Sequence, residues 1–370
     1  KSKDSQSINI LKNSWSITNK EELFAQIESL ERGGHAGSYR EILAIDNANP
    51  LLSVLEISNK ECLSVLETTR LFFVRKMKDV LGDHGIEAWD KGREISLFRW
   101  ALAAGYVTEE EIIEPMLKIS NVLKADYTSW EDFTAHYIAG RAFYGLYDGD
   151  YGKLTDNALN AAANVIETIP VLSLPFDGSN AKGRALSLTD AWYEAEADAK
   201  EFDKALSLSY IERKDVKEQH RIAADSLVKK YPNNLGLLYV NLQIKTLLAS
   251  SYKTLLPSYR EADKLFSLCQ TKSNTYNNFY YRFGFVANKL KESDLALYAF
   301  NSMSNEAQHD ADVYYEKGYA YANLIGTSPD YETNAQFSNS AWENFELANS
   351  LGYELPENLI KWLKSISAQQ

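Results

Sequence analysis

Two arginines, an aspartate and a histidine in the first half of the chain are the residues best suited to chemistry. Asp90 and Arg93 stand three positions apart in Ala88-Trp89-Asp90-Lys91-Gly92-Arg93. That spacing puts both on one face of a helix, where they form a charge-assisted pair. Arg141 follows Gly140 in Tyr137-Ile138-Ala139-Gly140-Arg141, and His35 follows the pair Gly33-Gly34. Brought together, His35, Asp90, Arg93 and Arg141 make a polar pocket for an anion or a carboxylate. The same residues suit a second, structural role. Asp90, Arg93 and Arg141 can form a buried ionic lock between helices, with His35 as a hydrogen-bonded helix cap, because buried ion pairs add specificity more than stability. Both readings stay open at this point.

Other chemistry has little support. The chain holds no nucleophile motif and no phosphate loop. None of its five histidines (His35, His84, His136, His220, His309) has another four positions away, so the helical zinc motif is absent. Cys62 and Cys269 are too far apart in sequence for a paired-cysteine zinc site or a disulfide framework, and both read as small buried hydrophobes. Asp83 and His84 sit between Gly82 and Gly85, which is turn chemistry. No cofactor and no metal is therefore expected, and a non-catalytic protein is favoured over an enzyme.

The net charge of −12 leaves no basic face for a phosphate backbone, so nucleic acid is not an expected partner. No stretch is apolar enough to cross a bilayer. The start, Lys1-Ser2-Lys3-Asp4-Ser5-Gln6-Ser7, is a polar leader of the sort that follows a cleaved export signal or a lipid anchor, and equally that of a trimmed start. Cytoplasm and export both fit.

The elements that must position these residues read as helices throughout. Thr18-Asn19-Lys20-Glu21, Ser58-Asn59-Lys60-Glu61, Thr108-Glu109-Glu110-Glu111 and Ser129-Trp130-Glu131-Asp132 have the capping-box spacing or its aspartate variant. Gly105 closes the apolar run Leu97–Ala104 as a left-handed stop. No alternating run argues for a sheet. Pro170, Pro175, Gly178 and Gly183 cannot sit inside one helix and mark a linker. The expected organisation is all-α. A polar leader spans 1–14, a compact helical domain 15–168, a Pro/Gly linker 169–185 and a helical-hairpin array 186–370.

The second half repeats. Ala262-x-x-x-Phe266-x-x-Cys269, Ala296-x-x-x-Phe300-x-x-Met303 and Ala341-x-x-x-Phe345-x-x-Ala348 share one pattern. A small residue lets two helices approach, and the aromatic four positions on fills the gap on the same face. The first two copies have the tetratricopeptide period, and the stretch from Ile325 to Asn339 is read as a long loop that lengthens the third. This half resembles tetratricopeptide-repeat proteins, which implies a solenoid whose concave face holds a peptide or a partner protein. Tyr276, Asn277, Asn278, Tyr281, Asn288, Tyr315, Tyr319 and Asn323 are the candidate lining, since tyrosine joins apolar area to a hydrogen-bonding tip. Several of these rings suit gap-filling between helices as well.

The first half carries a second resemblance. Its residues are Trp15-x-Ile17-x-Asn19-x-x-x-Leu23, Leu30-x-x-Gly33-Gly34-His35, Ala88-Trp89-Asp90-x-Gly92-Arg93, Ala103-Ala104-Gly105-Tyr106, and Ser129-Trp130-Glu131-x-Phe133-x-x-x-Tyr137-x-x-Gly140-Arg141-x-Phe143. Over about 130 positions they resemble a bacterial family of uncharacterised function, domain of unknown function 1266. The resemblance implies a helical fold and brings no activity. The expected role is a protein- or peptide-binding scaffold. The competing expectation is an enzyme or small-ligand domain, built on the four polar residues, to which the repeats recruit a partner.

Overall fold

Asp4 opens the first helix of the computed structural model, which describes residues 4–146, 202 and 205–367. Its carboxylate accepts from the backbone N–H of Gln6 and Ser7, satisfying donors that a helix start leaves free. Every regular element among the described residues is helical, and none is a strand. By its contacts the chain divides into two compact units. The first comprises 1–54 and 66–207, and the second 55–65 and 208–370. The Pro/Gly linker expected at 169–185 lies outside the described residues.

The first unit is built around one helix. Its elements are α1 (Ser5–Trp15), α2 (Lys20–Arg32), α3 (Gly34–Ala48), α5 (Val65–Leu81), α6 (Glu87–Ala104), α7 (Glu109–Asp126) and α8 (Trp130–Gly145); α4 (Val54–Lys60) lies mostly in the second unit. Helix α6 touches α1, α2, α3, α7 and α8. Its buried residues, among them Trp89, Asp90, Glu94, Leu97, Phe98 and Ala101, are spread around its circumference, as expected of a helix enclosed on all sides.

Helices α6 and α8 approach through two reciprocal notches. A Cβ on Gly92 would overlap the ring of Tyr137 on α8, and a Cβ on Gly140 would overlap Trp89 on α6. Gly105 ends α6 in the left-handed region at φ 72°, and Thr108 with Glu111 forms the capping box of α7.

Some local readings differ from the structure. Part of the stretch read as a polar leader is α1, whose Leu11 is fully buried against the α6 core. Asp4 caps it, and the i, i+3 pair Ile8 and Leu11 faces the core. The Ser58 box does not open a helix, because Ser58 lies near the end of α4. There Cys62 turns the chain in the left-handed region at φ 52° before α5.

The second unit contains α9 (Glu218–Lys230), α10 (Leu235–Leu248), α11 (Leu256–Phe266), α12 (Asn274–Lys289), α13 (Ser293–Ser302), α14 (Asn305–Gln308), α15 (Ala311–Leu324), α16 (Tyr331–Ser350) and α17 (Glu357–Ser367). Helices pack in sequence order, α12 against α13 and α15 against α16, and α12 also touches α10 and α15. The repeated aromatics are the knobs of this packing. A Cβ on Gly284 would come within 2.5 Å of the Phe300 ring, and one on Gly318 within 2.8 Å of Phe345. Phe266, Phe300 and Phe345 are all fully buried.

The stretch Ile325–Asn339 is mostly not a loop. Asp330 accepts from the N–H of Thr333 at 2.8 Å and starts α16 at Tyr331, so the extra residues lengthen a helix. Residues 55–65 complete this unit. Cys62 is buried in its core, Ser273 Oγ donates to the Cys62 carbonyl at 2.5 Å, and Thr271 Oγ1 donates to Glu61 at 2.6 Å.

Candidate functional site

Asp90 is the electrostatic centre of the first unit. Its side chain is 5% exposed and accepts from the backbone N–H of Ala36 at 2.8 Å and of His35 at 3.3 Å. It also pairs with Arg93. The reason lies in α3. Gly33 precedes that helix and has no side chain with which to cap it, so its free N-terminal donors take a carboxylate from α6 instead. Gly34, at φ 48°, keeps the space open, since a Cβ there would overlap the Asp90 carboxylate.

His35 meets this centre through its backbone. Its half-buried ring packs edge-on against Tyr144 at 4.9 Å. Burial, with Arg93 and Arg70 nearby and only partly offset by Asp90, brings its pKa down to about 4. The imidazole is therefore neutral at physiological pH.

Arg93 and Arg141 face a common aromatic wall. The Arg93 guanidinium lies 5.3 Å from the Trp89 ring centre and 5.6 Å from that of Trp15. The Arg141 guanidinium lies 5.5 Å from Trp89 and 5.2 Å from Tyr144. Both cations thus sit against the same indole, a favourable arrangement with the ring quadrupole. They border a cavity of about 330 Å³ lined by Ser14, Trp15, Trp89, Arg93, Ser96, Trp100, Tyr137, Arg141 and Tyr144.

Among the described residues no carboxylate is in that lining. Arg93 is paired with Asp90, whereas Arg141 has no ion pair among the described residues. The Nε1 of Trp89 and the Nε of Arg93 are buried without a hydrogen-bond partner among the described residues. Burial pushes the Tyr137 phenol pKa up while both guanidiniums pull against that shift, which places the two cations near one hydroxyl.

The four polar residues therefore separate. Asp90 and the His35 backbone form the helix cap with Arg93, and Arg93 with Arg141 forms one side of the cavity. The aromatic lining was not among the sequence candidates. Its sequence signals are the aromatics of the resemblance, Trp15, Trp89 and Tyr137, and the position of Trp89 and Trp100 flanking the Asp90–Arg93 face. A further group, His84, Glu87 and Asp126, has potential ligand atoms within 4.8 Å of one another, although Glu87 is engaged by Arg40 at 2.7 Å.

In the second unit the groove candidates take different places. Tyr276 is buried and packs on Tyr280 at 4.7 Å. Asn277 bridges Ser304, accepting from its N–H at 2.8 Å. The buried Asn288 donates to the Glu316 carbonyl at 2.8 Å and to its carboxylate at 2.7 Å. Tyr315 stacks on Tyr353 at 4.1 Å, and Tyr319 packs on Phe345 at 5.5 Å. Asn323 is half-buried at the end of α15. Tyr281 and Asn278 line an open cavity of about 400 Å³ with Tyr239, Thr246, Arg282 and Phe285, between α10 and α12. There Arg282 Nε donates to the Tyr239 hydroxyl at 3.1 Å.

Residues 10–163 match the family described as Protein of unknown function (DUF1266). The matched stretch holds every side chain that lines the arginine cavity, from Ser14 to Tyr144. It also contains residues 55–65, which belong to the second unit. No curated protein and no solved structure matches the chain.

Proposed function

We propose that the protein is a non-catalytic scaffold whose second unit is a tetratricopeptide-like array holding an extended segment of another protein. The observation that carries this reading is the cavity on α10 and α12. Asn278, Tyr281, Arg282 and Phe285 stand at i, i+3, i+4 and i+7, one continuous stripe of α12, and face Tyr239 and Thr246 of α10. The stripe offers amide, phenol and guanidinium groups around apolar rings, the mixture that grips a peptide backbone and one or two of its side chains. Two further observations support the array. The first helix of one pair touches the first helix of the next, as α10 touches α12 and α12 touches α15. The Gly-on-Phe notch recurs in two successive pairs.

Selection from a random peptide library on the full chain tests the reading. Enriched peptides are expected whose binding is lost in Tyr281→Ala while the melting temperature holds. No enrichment, or peptides indifferent to Tyr281→Ala and Arg282→Ala alike, would contradict it.

A further inference from the structure

We propose that the cavity between α1, α6 and α8 is a binding site for a small organic carboxylate with a flat apolar body. The charge comes first. Two guanidiniums enter the lining and, among the described residues, Arg93 has a carboxylate partner and Arg141 has none, so the described cavity carries an uncompensated positive charge in a protein whose net charge is −12. A partly buried cation without a counter-ion is costly, and an anion placed beside it recovers that cost.

The planar fork of arginine selects the kind of anion. Guanidinium and carboxylate match edge to edge through two parallel N–H···O bonds. Trp89 and Tyr144 lie against the Arg141 guanidinium within 5.5 Å, contacts that favour holding it at the cavity wall before a ligand arrives.

The walls select the rest of the ligand. Trp15, Trp89, Trp100, Tyr137 and Tyr144 supply ring faces and edges, and about 330 Å³ admits a small molecule rather than a peptide. Asp90 stands behind Arg93 as a positioning residue. It holds that guanidinium and caps α3 with the same carboxylate.

This site is independent of the groove on the second unit. It is tested on the full chain by calorimetric titration with benzoate, its neutral isostere benzamide, and inorganic phosphate, followed in parallel by tryptophan fluorescence. Benzoate is expected to bind saturably at one site, with benzamide and phosphate weaker by about tenfold or more. Arg141→Gln is expected to remove the preference for benzoate over benzamide at an unchanged melting temperature. Arg141→Lys, which keeps the charge and loses the fork, is expected to fall between the two.

Equal binding of benzoate and benzamide would overturn the proposal, because the cavity would then recognise only an apolar ring. Phosphate binding more tightly than benzoate would overturn the carboxylate class, and so would no saturable binding of benzoate. If Arg141→Gln does not fold, the comparison of benzoate with benzamide on the unaltered chain still decides.

Discussion

One carboxylate does most of the positioning in the first unit. Asp90 caps α3 and holds Arg93, so Asp90→Asn removes a charge-assisted cap and leaves a guanidinium that is 13% exposed without its partner. The expected loss is about 2–4 kcal/mol of unfolding free energy, read from urea titrations. Arg141→Gln is expected to leave that stability unchanged. His35 gives a pH signature. Its pKa lies near 4 when folded, against an ordinary value of 6.5. Between those values the unfolded chain takes up a proton that the folded chain refuses, so stability is full above pH 6.5 and falls as the pH drops toward 4. The loss of melting temperature between pH 7.5 and pH 4.5 should be smaller in His35→Gln than in the unaltered chain. The i, i+3 spacing made the Asp90–Arg93 pair legible in the sequence. The use of the His35 backbone rather than its ring was not, because it depends on α3 lacking a cap of its own and on α6 lying beside it.

Among the helices, glycines set the closest approaches. Gly140→Ala would drive a Cβ into Trp89, and Gly284→Ala into the fully buried Phe300. Each should cost about 1–3 kcal/mol or more by denaturant unfolding. Gly37 is the contrast. It lies inside α3 with nothing within 4 Å of its Cβ position, so Gly37→Ala should stabilise by about 0.5–1 kcal/mol. Helix boundaries were legible where a local motif decides them, as at Thr108 and Ser129, whose side chains accept from the third residue on. The Ser58 box failed because tertiary contact outweighed it: Ser58 is fully buried, and Asn234 Nδ2 donates to its hydroxyl at 3.3 Å. The start of α16 at Tyr331 was hidden by polar composition, although Asp330 is an ordinary cap.

Across the molecule, residues 55–65 belong to the second unit although the segments on either side of them belong to the first. The segment lies inside the family match yet completes the second unit. Nothing in the sequence marks this crossing, since the residues that receive it, Asn234, Thr271 and Ser273, lie about 200 positions away. Cys62 reports on it directly. Its side chain is fully buried in the full chain, whereas Cys269 is partly exposed. Thiol titration of the native chain should therefore label Cys269 well before Cys62. A fragment of residues 1–207 should lose the protection of Cys62, and a protected Cys62 in that fragment would contradict the assignment.

The central claim is that a protein segment lies across α10 and α12, and site-specific photo-crosslinking tests it most directly. A benzoylphenylalanine is placed at Tyr281 or, as control, at Tyr331, which is 87% exposed, and irradiated in the cells that make the protein. A discrete protein adduct at position 281 that is absent at 331 is the predicted result. No adduct at 281, or the same pattern at both positions, would contradict it.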